Sequence, residues 1–121
     1  MNSESNIQNL VKRQAKAWET GDVSRIIQDF APNATFIAAG YTFEGIDAIK
    51  KTAADYFKAF TDVKVTIKRI IIEHNKGAVE WDWSERNKKT GERSQAEDAI
   101  IFEVQEDGKI IYWREYIEKK D

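Results

Sequence analysis

The period of the apolar residues changes once along this chain, near Val63, and that change most constrains the fold. Before it, apolar residues recur every three or four positions, as they do along one face of a helix. After it, apolar and polar residues alternate, β-branched and aromatic residues become frequent, and turn-forming clusters interrupt them. Helices followed by strands predict an α+β fold, in which three N-terminal helices wrap a curved antiparallel sheet.

Two helices are predicted before the only proline. The first carries an apolar stripe at helical spacing and is capped by Ser3 or Ser5. Asp22 is placed to cap a second, short helix, because an aspartate side chain accepts hydrogen bonds from the first free backbone N–H groups. The stripe of this second helix runs to Phe30, and Pro32 then ends it.

A hairpin and a third helix complete the first half. Short extended pieces on either side of Gly40, within residues 34–43, predict a small hairpin. Gly45 ends it, and apolar residues then recur at helical spacing from Ile49 to Phe60. This is the clearest helical pattern in the chain.

Four strands are predicted after the change of period, at residues 63–73, 78–86, 94–105 and 109–118. The segments between them are short and rich in turn-forming residues. Asp107-Gly108 is typical of a two-residue hairpin turn. Neighbouring strands are therefore expected to run antiparallel.

The two last hairpins predict which side chains share a face. A two-residue turn at Asp107-Gly108 gives these pairs by counting: Glu106 with Lys109, Val104 with Ile111, Phe102 with Trp113, Ile100 with Glu115, and Asp98 with Ile117. The hairpin before it gives Trp83 with Ala96, Trp81 with Asp98, and Val79 with Ile100. The two registers agree, and a slip of one residue in either would break the agreement. The predicted inward wall is Val79, Trp81, Trp83, Asp98, Ile100, Phe102, Trp113 and Glu115.

Asp98 and Glu115 are the chemically distinctive members of this wall. They are diagonal neighbours on adjacent strands, at a spacing of about 7 to 8 Å. Burial beside Trp81 would raise the pKa of an acid, and a second acid close by raises one of the two further. We therefore expect Asp98 to act as a general base and Glu115 as its acid partner. The alternative is that buried Trp or Tyr groups, or an inward Arg69, satisfy both acids, which then do no chemistry.

The aromatic residues predict a surface for a flat, apolar small molecule. The residues expected to bind it are Trp18, Tyr41, Phe43, Tyr56, Trp81, Trp83, Ile100 and Trp113. Large aromatics are also common core residues, so a purely structural role stays open. His74, the only histidine, lies in a predicted turn and is expected to be solvated. No metal site is expected, because the chain has no cysteine and no second histidine.

Composition excludes several classes of partner. The 19 basic and 21 acidic residues nearly cancel, and no basic cluster stands without nearby acids, so nucleic acid is not an expected partner. No apolar run approaches the length of a membrane span, and the polar N-terminus does not resemble a signal peptide, so a cytoplasmic protein without membrane contact is expected. At 121 residues, a single domain over residues 1–121 is expected.

The order of the elements resembles the nuclear transport factor 2-like superfamily. The motifs at the joints are Phe30-Ala31-Pro32-Asn33-Ala34, Phe43-Glu44-Gly45 and Asp107-Gly108-Lys109-Ile110. Residues 78–84 and the ending Trp113-Arg114-Glu115-Tyr116 are most similar to SnoaL-like polyketide cyclases and ketosteroid-isomerase-like proteins. The resemblance implies a cone-shaped fold with an open cavity, a homodimer formed through the outer sheet face, and no metal or organic cofactor.

Two functions follow from the resemblance. Enzymes of the superfamily use an inward acid on an apolar substrate, which would make this chain a cofactor-free isomerase or cyclase acting on an apolar carbonyl compound through Asp98 and Glu115. Epoxide hydrolysis is disfavoured, because Trp81 and Trp83 stand where limonene epoxide hydrolase has its central-strand polar residues. The alternative is a non-catalytic ligand-binding or dimerising module. The expected dimer face carries Ile101, Tyr112 and Tyr116 among Glu103 and Arg114.

Overall fold

The computed structural model describes residues 3–120. Within them it contains α1 (Glu4–Thr20), α2 (Val23–Gln28), β1 (Phe30–Ala38), β2 (Tyr41–Glu44), α3 (Ile46–Ala59), β3 (Phe60–Glu73), β4 (Lys76–Asn87), β5 (Arg93–Val104) and β6 (Ile110–Lys120). The strands form one curved, unclosed sheet in the order β2-β1-β6-β5-β4-β3. The predicted α+β cone fold is confirmed.

The sheet is mixed rather than wholly antiparallel. Strands β3 to β6 pair antiparallel in sequence order, as expected. Strand β1 lies beside β6 and runs parallel to it. The expectation of an entirely antiparallel sheet is wrong at this one pair, because β1 and β6 are far apart in the chain and a local apolar pattern carries no information about their relative direction.

Helix α1 begins at one of the two serines that the sequence predicts as its cap. The Oγ atom of Ser3 accepts a hydrogen bond from the backbone N–H of Asn6 at 3.0 Å, so Ser3 rather than Ser5 is the cap. Gly21 closes the helix in a left-handed conformation with φ 70°. The buried stripe between these ends runs from Ile7 to Trp18, which places the Trp18 indole against the sheet.

Two aromatic residues begin strands instead of ending helices. Phe30 starts β1, since α2 already ends at Gln28, and Phe60 starts β3. The prediction that Phe30 belongs to the second helix is wrong, because an apolar residue at the edge of a helical stripe suits a following strand equally well. Pro32 lies in β1 where its register with β6 is interrupted, a position that needs no backbone N–H for pairing.

The last hairpin turn is one residue longer than predicted. The backbone N–H of Gln105 donates to the carbonyl of Lys109 at 2.8 Å, and the N–H of Gly108 donates to the carbonyl of Gln105 at 3.0 Å. Gly108 has φ 87°, which a glycine adopts without strain. Residues 106–108 therefore form a three-residue loop rather than a two-residue turn.

A bulge in β6 restores the predicted register beyond this loop. Val104 pairs with Ile110 instead of Ile111, and Glu103 pairs with Tyr112, so Ile111 is the extra residue. From there every pair is as predicted: Phe102 with Trp113, Ile100 with Glu115, and Asp98 with Ile117. The predicted pairs between β4 and β5 are also present, namely Trp83 with Ala96, Trp81 with Asp98 and Val79 with Ile100.

The core lies between the concave face of the sheet and the helices. Its largest fully buried side chains include Trp81, Phe102, Trp113 and Phe30. Salt bridges occupy the convex face, where Lys68 lies near Asp82 and Glu97. Within residues 3–120, no helix is both long and apolar enough to cross a membrane.

Candidate functional site

A cavity of about 340 Å³ opens between the concave sheet face, α1, α3 and the β1–β2 hairpin. Its lining combines aromatic rings with acidic side chains: Trp18, Phe36, Ala38, Ala39, Tyr41, Phe43, Thr52, Tyr56, Trp83, Glu85, Ser94, Gln95, Ala96, Asp98, Glu115, Ile117, Lys119 and Lys120. This volume lies at the lower end of the range for small-molecule sites.

The structure divides the sequence-predicted site residues into two groups. Those that line the cavity are Trp18, Tyr41, Phe43, Tyr56, Trp83, Asp98 and Glu115. Trp81, Ile100 and Trp113 do not line it, because they are almost fully buried in the core beneath it. The indole N–H groups of Trp81 and Trp113 instead donate hydrogen bonds to the two acids.

Asp98 is 6% exposed, and only one of its oxygens is satisfied. The indole Nε1 of Trp81 donates to Oδ2 at 3.2 Å, while Oδ1 has no hydrogen-bond partner within residues 3–120. Burial raises the pKa of Asp98 to about 6, although the hydrogen bond from Trp81 opposes this, and the nearby charge of Glu85 raises it further.

Glu115 is held in the same manner on the next strand. The indole Nε1 of Trp113 donates to its Oε2 at 2.9 Å. Burial raises the pKa of Glu115 to about 7, the bond from Trp113 opposes this, and the charge of Asp98 adds to the rise. Both acids therefore hold their protons to higher pH than hydrated carboxyl groups do.

The suggestion that Arg69 points inward and satisfies the two acids is wrong. Its Nε lies 3.1 Å from Oε1 of Glu80, and both side chains are exposed. The hydrogen bonds that Asp98 and Glu115 receive come from tryptophans, as the alternative interpretation expected. These bonds leave Oδ1 of Asp98 free, so they do not satisfy the pair completely.

Glu85 is a third cavity acid that the sequence analysis missed. It accepts hydrogen bonds at Oε1 from the Tyr56 hydroxyl and from Trp83 Nε1, the latter at 2.9 Å, and at Oε2 from Ser94 Oγ at 3.2 Å. The alternation that places Trp81 and Trp83 inward reaches Glu85 at its next step, so one more count would have found it. Burial raises the pKa of Tyr56 well above its ordinary value, and the bond to Glu85 adds to this.

Trp18 brings an unpartnered donor to the cavity from the helical side. It is 6% exposed, and its Nε1 has no hydrogen-bond partner within residues 3–120. Its ring packs edge-on against those of Trp83 and Tyr56, with centroids 5.8 and 5.9 Å away. A buried N–H without an acceptor is unfavourable, so this group is well suited to meet a ligand oxygen.

The mouth of the cavity is more exposed and more mixed. Tyr41 is 68% exposed and packs against Phe43, with ring centroids 6.5 Å apart. Lys119 and Lys120 lie at the end of β6, also at this opening. His74 is exposed in the turn between β3 and β4, away from the lining. Among the described residues, no group of three or more His, Asp or Glu side chains is arranged to hold a metal ion.

A comparison with known protein families matches residues 11–113 to the SnoaL-like domain. The chain belongs to the SnoaL-like family. It therefore has the nuclear transport factor 2-like fold, as the joint motifs indicated. Among curated proteins, no sequence gives a significant match.

Solved structures support the same fold for this SnoaL-like chain. The epoxide hydrolase/cyclase-like enzyme SalBIII, described for pyran ring formation in the polyether salinomycin, is 20% identical, with a TM-score of 0.85 over 99% of this chain and 100% of that chain. A ketosteroid isomerase-like protein from Erwinia carotovora atroseptica SCRI1043 is 16% identical, with a TM-score of 0.79 over 100% and 99%. A hypothetical protein of ketosteroid isomerase-like fold from Catenulispora acidiphila DSM 44928, in complex with trimethylamine, is 20% identical, with a TM-score of 0.81 over 88% and 82%.

Proposed function

We propose that this SnoaL-like protein is a cofactor-free enzyme of the isomerase or cyclase type, which moves a proton within a small apolar carbonyl compound. One observation carries the proposal: Asp98 lines the cavity with one oxygen held by Trp81, and its other oxygen has no partner within residues 3–120. A base for a carbon-bound proton needs a free lone pair, a fixed orientation and a pKa close to the working pH. Asp98 has all three.

The reaction is an enolisation followed by return of the proton. Oδ1 of Asp98 takes a proton from the carbon beside the carbonyl, and the electrons of that C–H bond move into the carbonyl group to give an enolate. The protonated form of Glu115, or the N–H of Trp18, donates a hydrogen bond to the enolate oxygen. Where the substrate has a carbon–carbon double bond β,γ to the carbonyl group, the intermediate is a dienolate, and the proton returns from Asp98 to its γ carbon as the double bond shifts. Alternatively, the enolate carbon attacks a second carbonyl group of the substrate and closes a ring, and the alkoxide that forms takes the proton from Asp98.

The comparisons support this reaction class without identifying a substrate. SalBIII is described as an epoxide hydrolase/cyclase-like enzyme, and two other similar structures are described as ketosteroid isomerase-like. At 20% identity or less, these likenesses concern the fold, and activity within one fold is variable. The assignment to this chain therefore depends on its own acids.

Deuterium incorporation tests the proposal without knowledge of the natural substrate. A panel of apolar ketones, including 2-tetralone, is incubated in D₂O with the protein, and proton NMR follows exchange at the carbon beside the carbonyl. We expect exchange above the buffer rate, reduced about 10²-fold or more by Asp98→Asn. Glu103→Gln is the matched control, because it lies on the same strand with the opposite orientation. Exchange at the buffer rate for every ketone would reject the proposal.

A second proposal concerns the oligomeric state, and it would also hold if the protein were a dimerising module without catalytic activity. Ile71, Ile101 and Tyr116 are 53%, 45% and 50% exposed on the convex sheet face, and the pairing of Ile71 with Ala78 and of Ala78 with Ile101 makes part of this apolar surface continuous across three strands. We propose that two copies pack through it as a homodimer. Sedimentation should give a dimer at micromolar concentration and a monomer for Ile101→Lys. A wild-type monomer would reject the dimer.

The single domain over residues 1–121 and the cytoplasmic location remain predictions from the sequence.

A further inference from the structure

Among the described residues, the interior of the cavity carries three acidic side chains and no buried lysine, arginine or histidine. Glu85 lies on β4, Asp98 on β5 and Glu115 on β6, so each of three neighbouring strands supplies one carboxyl group. The lysines that line the cavity are both exposed at the end of β6, and Lys120 lies 2.5 Å from the outward Glu97. None of the ion pairs among residues 3–120 involves any of the three acids.

The negative charge of Asp98 is not compensated at its second oxygen, Oδ1. Asp98 is more than nine-tenths buried, it lines the cavity, and its Oδ1 has no partner among the described residues. An ionised carboxyl group in such a place is costly unless an opposite charge or a donor compensates it. Trp18 Nε1 is a donor in the same lining but makes no hydrogen bond within residues 3–120, and the lysines of the lining are exposed, so we look to a ligand for the compensating charge.

Aromatic residues form much of the remaining lining, and we call them the aromatic wall. It includes Trp18, Phe36, Tyr41, Phe43 and Tyr56. Trp18, Tyr56 and Trp83 lie within 5.9 Å of one another by their ring centroids. The faces of aromatic rings attract ammonium groups, most strongly where water is excluded, and they also accept apolar carbon. Carboxyl groups and aromatic rings that line the same cavity therefore match a cation that carries an apolar body.

We propose that the ligand of this cavity is a small apolar molecule bearing a protonated amine. Its N⁺–H group donates to Oδ1 of Asp98, its positive charge lies between the carboxyl groups of Glu85 and Glu115, and its apolar part packs on the aromatic wall. Such a ligand occupies the oxygen that the proposed reaction uses as its base, so it binds in competition with the substrate and is not itself the substrate. The inference therefore goes beyond the proposed function. The volume of about 340 Å³ accommodates a molecule of one or two rings.

Three probes that share a ring and differ in charge test this class of ligand. Benzylamine is cationic, benzyl alcohol is neutral and benzoate is anionic at pH 7.5, and calorimetry or protein NMR gives the affinity of each for the full chain. We expect benzylamine to bind at least about tenfold more tightly than benzyl alcohol, and benzoate to bind most weakly. Equal affinities, tighter binding of benzoate, or no binding of benzylamine at millimolar concentration would each overturn the proposal.

Variants locate the discrimination within the cavity. Asp98→Asn and Glu85→Gln should each lower the ratio of benzylamine to benzyl alcohol affinity several-fold, whereas Glu103→Gln on the convex face should leave it unchanged. An unchanged ratio in both cavity variants would mean that the charge preference arises elsewhere, and the site proposed here would be wrong. If a variant fails to fold, the ratio of benzylamine to benzyl alcohol affinity in the wild-type protein still tests whether the cavity prefers a cation. Deuterium exchange into neutral ketones reports on the proposed reaction separately, so either proposal can fail alone.

Discussion

Trp81 and Asp98 stand directly opposite each other on β4 and β5, and the indole N–H of Trp81 donates to Oδ2 of Asp98 at 3.2 Å. The tryptophan is 1% exposed, so its ring is fixed by the core and in turn fixes the carboxyl group. The second oxygen, Oδ1, has no partner among residues 3–120. One core residue thus orients a cavity acid while leaving one of its oxygens available.

Removing the donor of this pair should raise the pKa of the acid. Trp81→Phe keeps most of the aromatic volume but cannot hydrogen-bond the ionised form of Asp98, so we expect its pKa to rise above about 6. Carbon-13 NMR of the labelled carboxyl group measures this. The matched control is Trp83→Phe, whose N–H bonds Tyr56 and Glu85 instead, and it should move Asp98 much less. A fall of the pKa in Trp81→Phe would contradict the role of this bond.

Activity should be greatest in a narrow range of pH. Asp98 must be ionised to accept a proton, which favours pH above about 6, and Glu115 must be protonated to donate, which favours pH below about 7. The two groups interact, so the measured limbs of the bell belong to the pair. Exchange rates of an active ketone across pH 4.5 to 9 would check this; a rate that keeps rising above pH 8 would exclude Glu115 as the acid.

The same two groups should make the protein less stable as pH rises through the weakly acidic range. Both acids bind protons more tightly in the folded state than in the unfolded one, where their pKa values are near 3.8 and 4.5. Below about pH 3 both carboxyl groups are protonated in the folded and the unfolded state. Between that pH and about 7 the unfolded state ionises first, which costs about 2 to 3 kcal/mol of unfolding free energy for each group, and less than the sum for the pair.

Urea unfolding at a series of pH values measures this dependence. The double variant Asp98→Asn, Glu115→Gln removes both groups, so the difference between wild type and variant isolates them from the other acids. We expect the wild type to lose stability relative to the variant between pH 4 and 7. A constant difference across this range would show that the two acids are not desolvated.

Gly77 is required for close packing rather than for an unusual backbone conformation. A Cβ atom there would lie 2.5 Å from Cζ of Phe102 and 2.7 Å from the carbonyl oxygen of Ile71. We expect Gly77→Ala to lower the free energy of unfolding by about 1 to 3 kcal/mol. Gly91 is a useful comparison, because its φ of 76° is strained for alanine but nothing lies within 4 Å. Gly91→Ala should cost about 1 kcal/mol, and a smaller loss for Gly77→Ala would contradict the close approach.

The facing residues of the last three strands could be predicted because successive side chains of a strand alternate between only two faces of the sheet. The Trp81–Asp98 and Ile100–Glu115 pairs are as counted, since any slip of one residue would have put Asp98 on the wrong face. The turn itself was predicted one residue too short. The bulge at Ile111 compensated for that error, so the register of the site was right although the local geometry was not.

Depth and strand direction could not be predicted from the same pattern. Alternation shows that Trp81 and Trp113 face inward, but whether an inward residue touches the cavity or lies beneath it depends on how far the helices stand from the sheet at that point. The parallel pairing of β1 with β6 depends equally on long-range contacts. Glu85, in contrast, is predictable from the same alternation, because it is the next inward position of β4 after Trp83.

The most direct measurement is a carbon-13 NMR titration of the carboxyl groups of Asp98 and Glu115 in the wild-type protein. Two desolvated acids beside an aromatic cavity should titrate near pH 6 and pH 7 respectively. Values near 3.8 and 4.5, as in freely hydrated side chains, would contradict the account, because neither group would then be suited to exchange protons with a substrate at neutral pH.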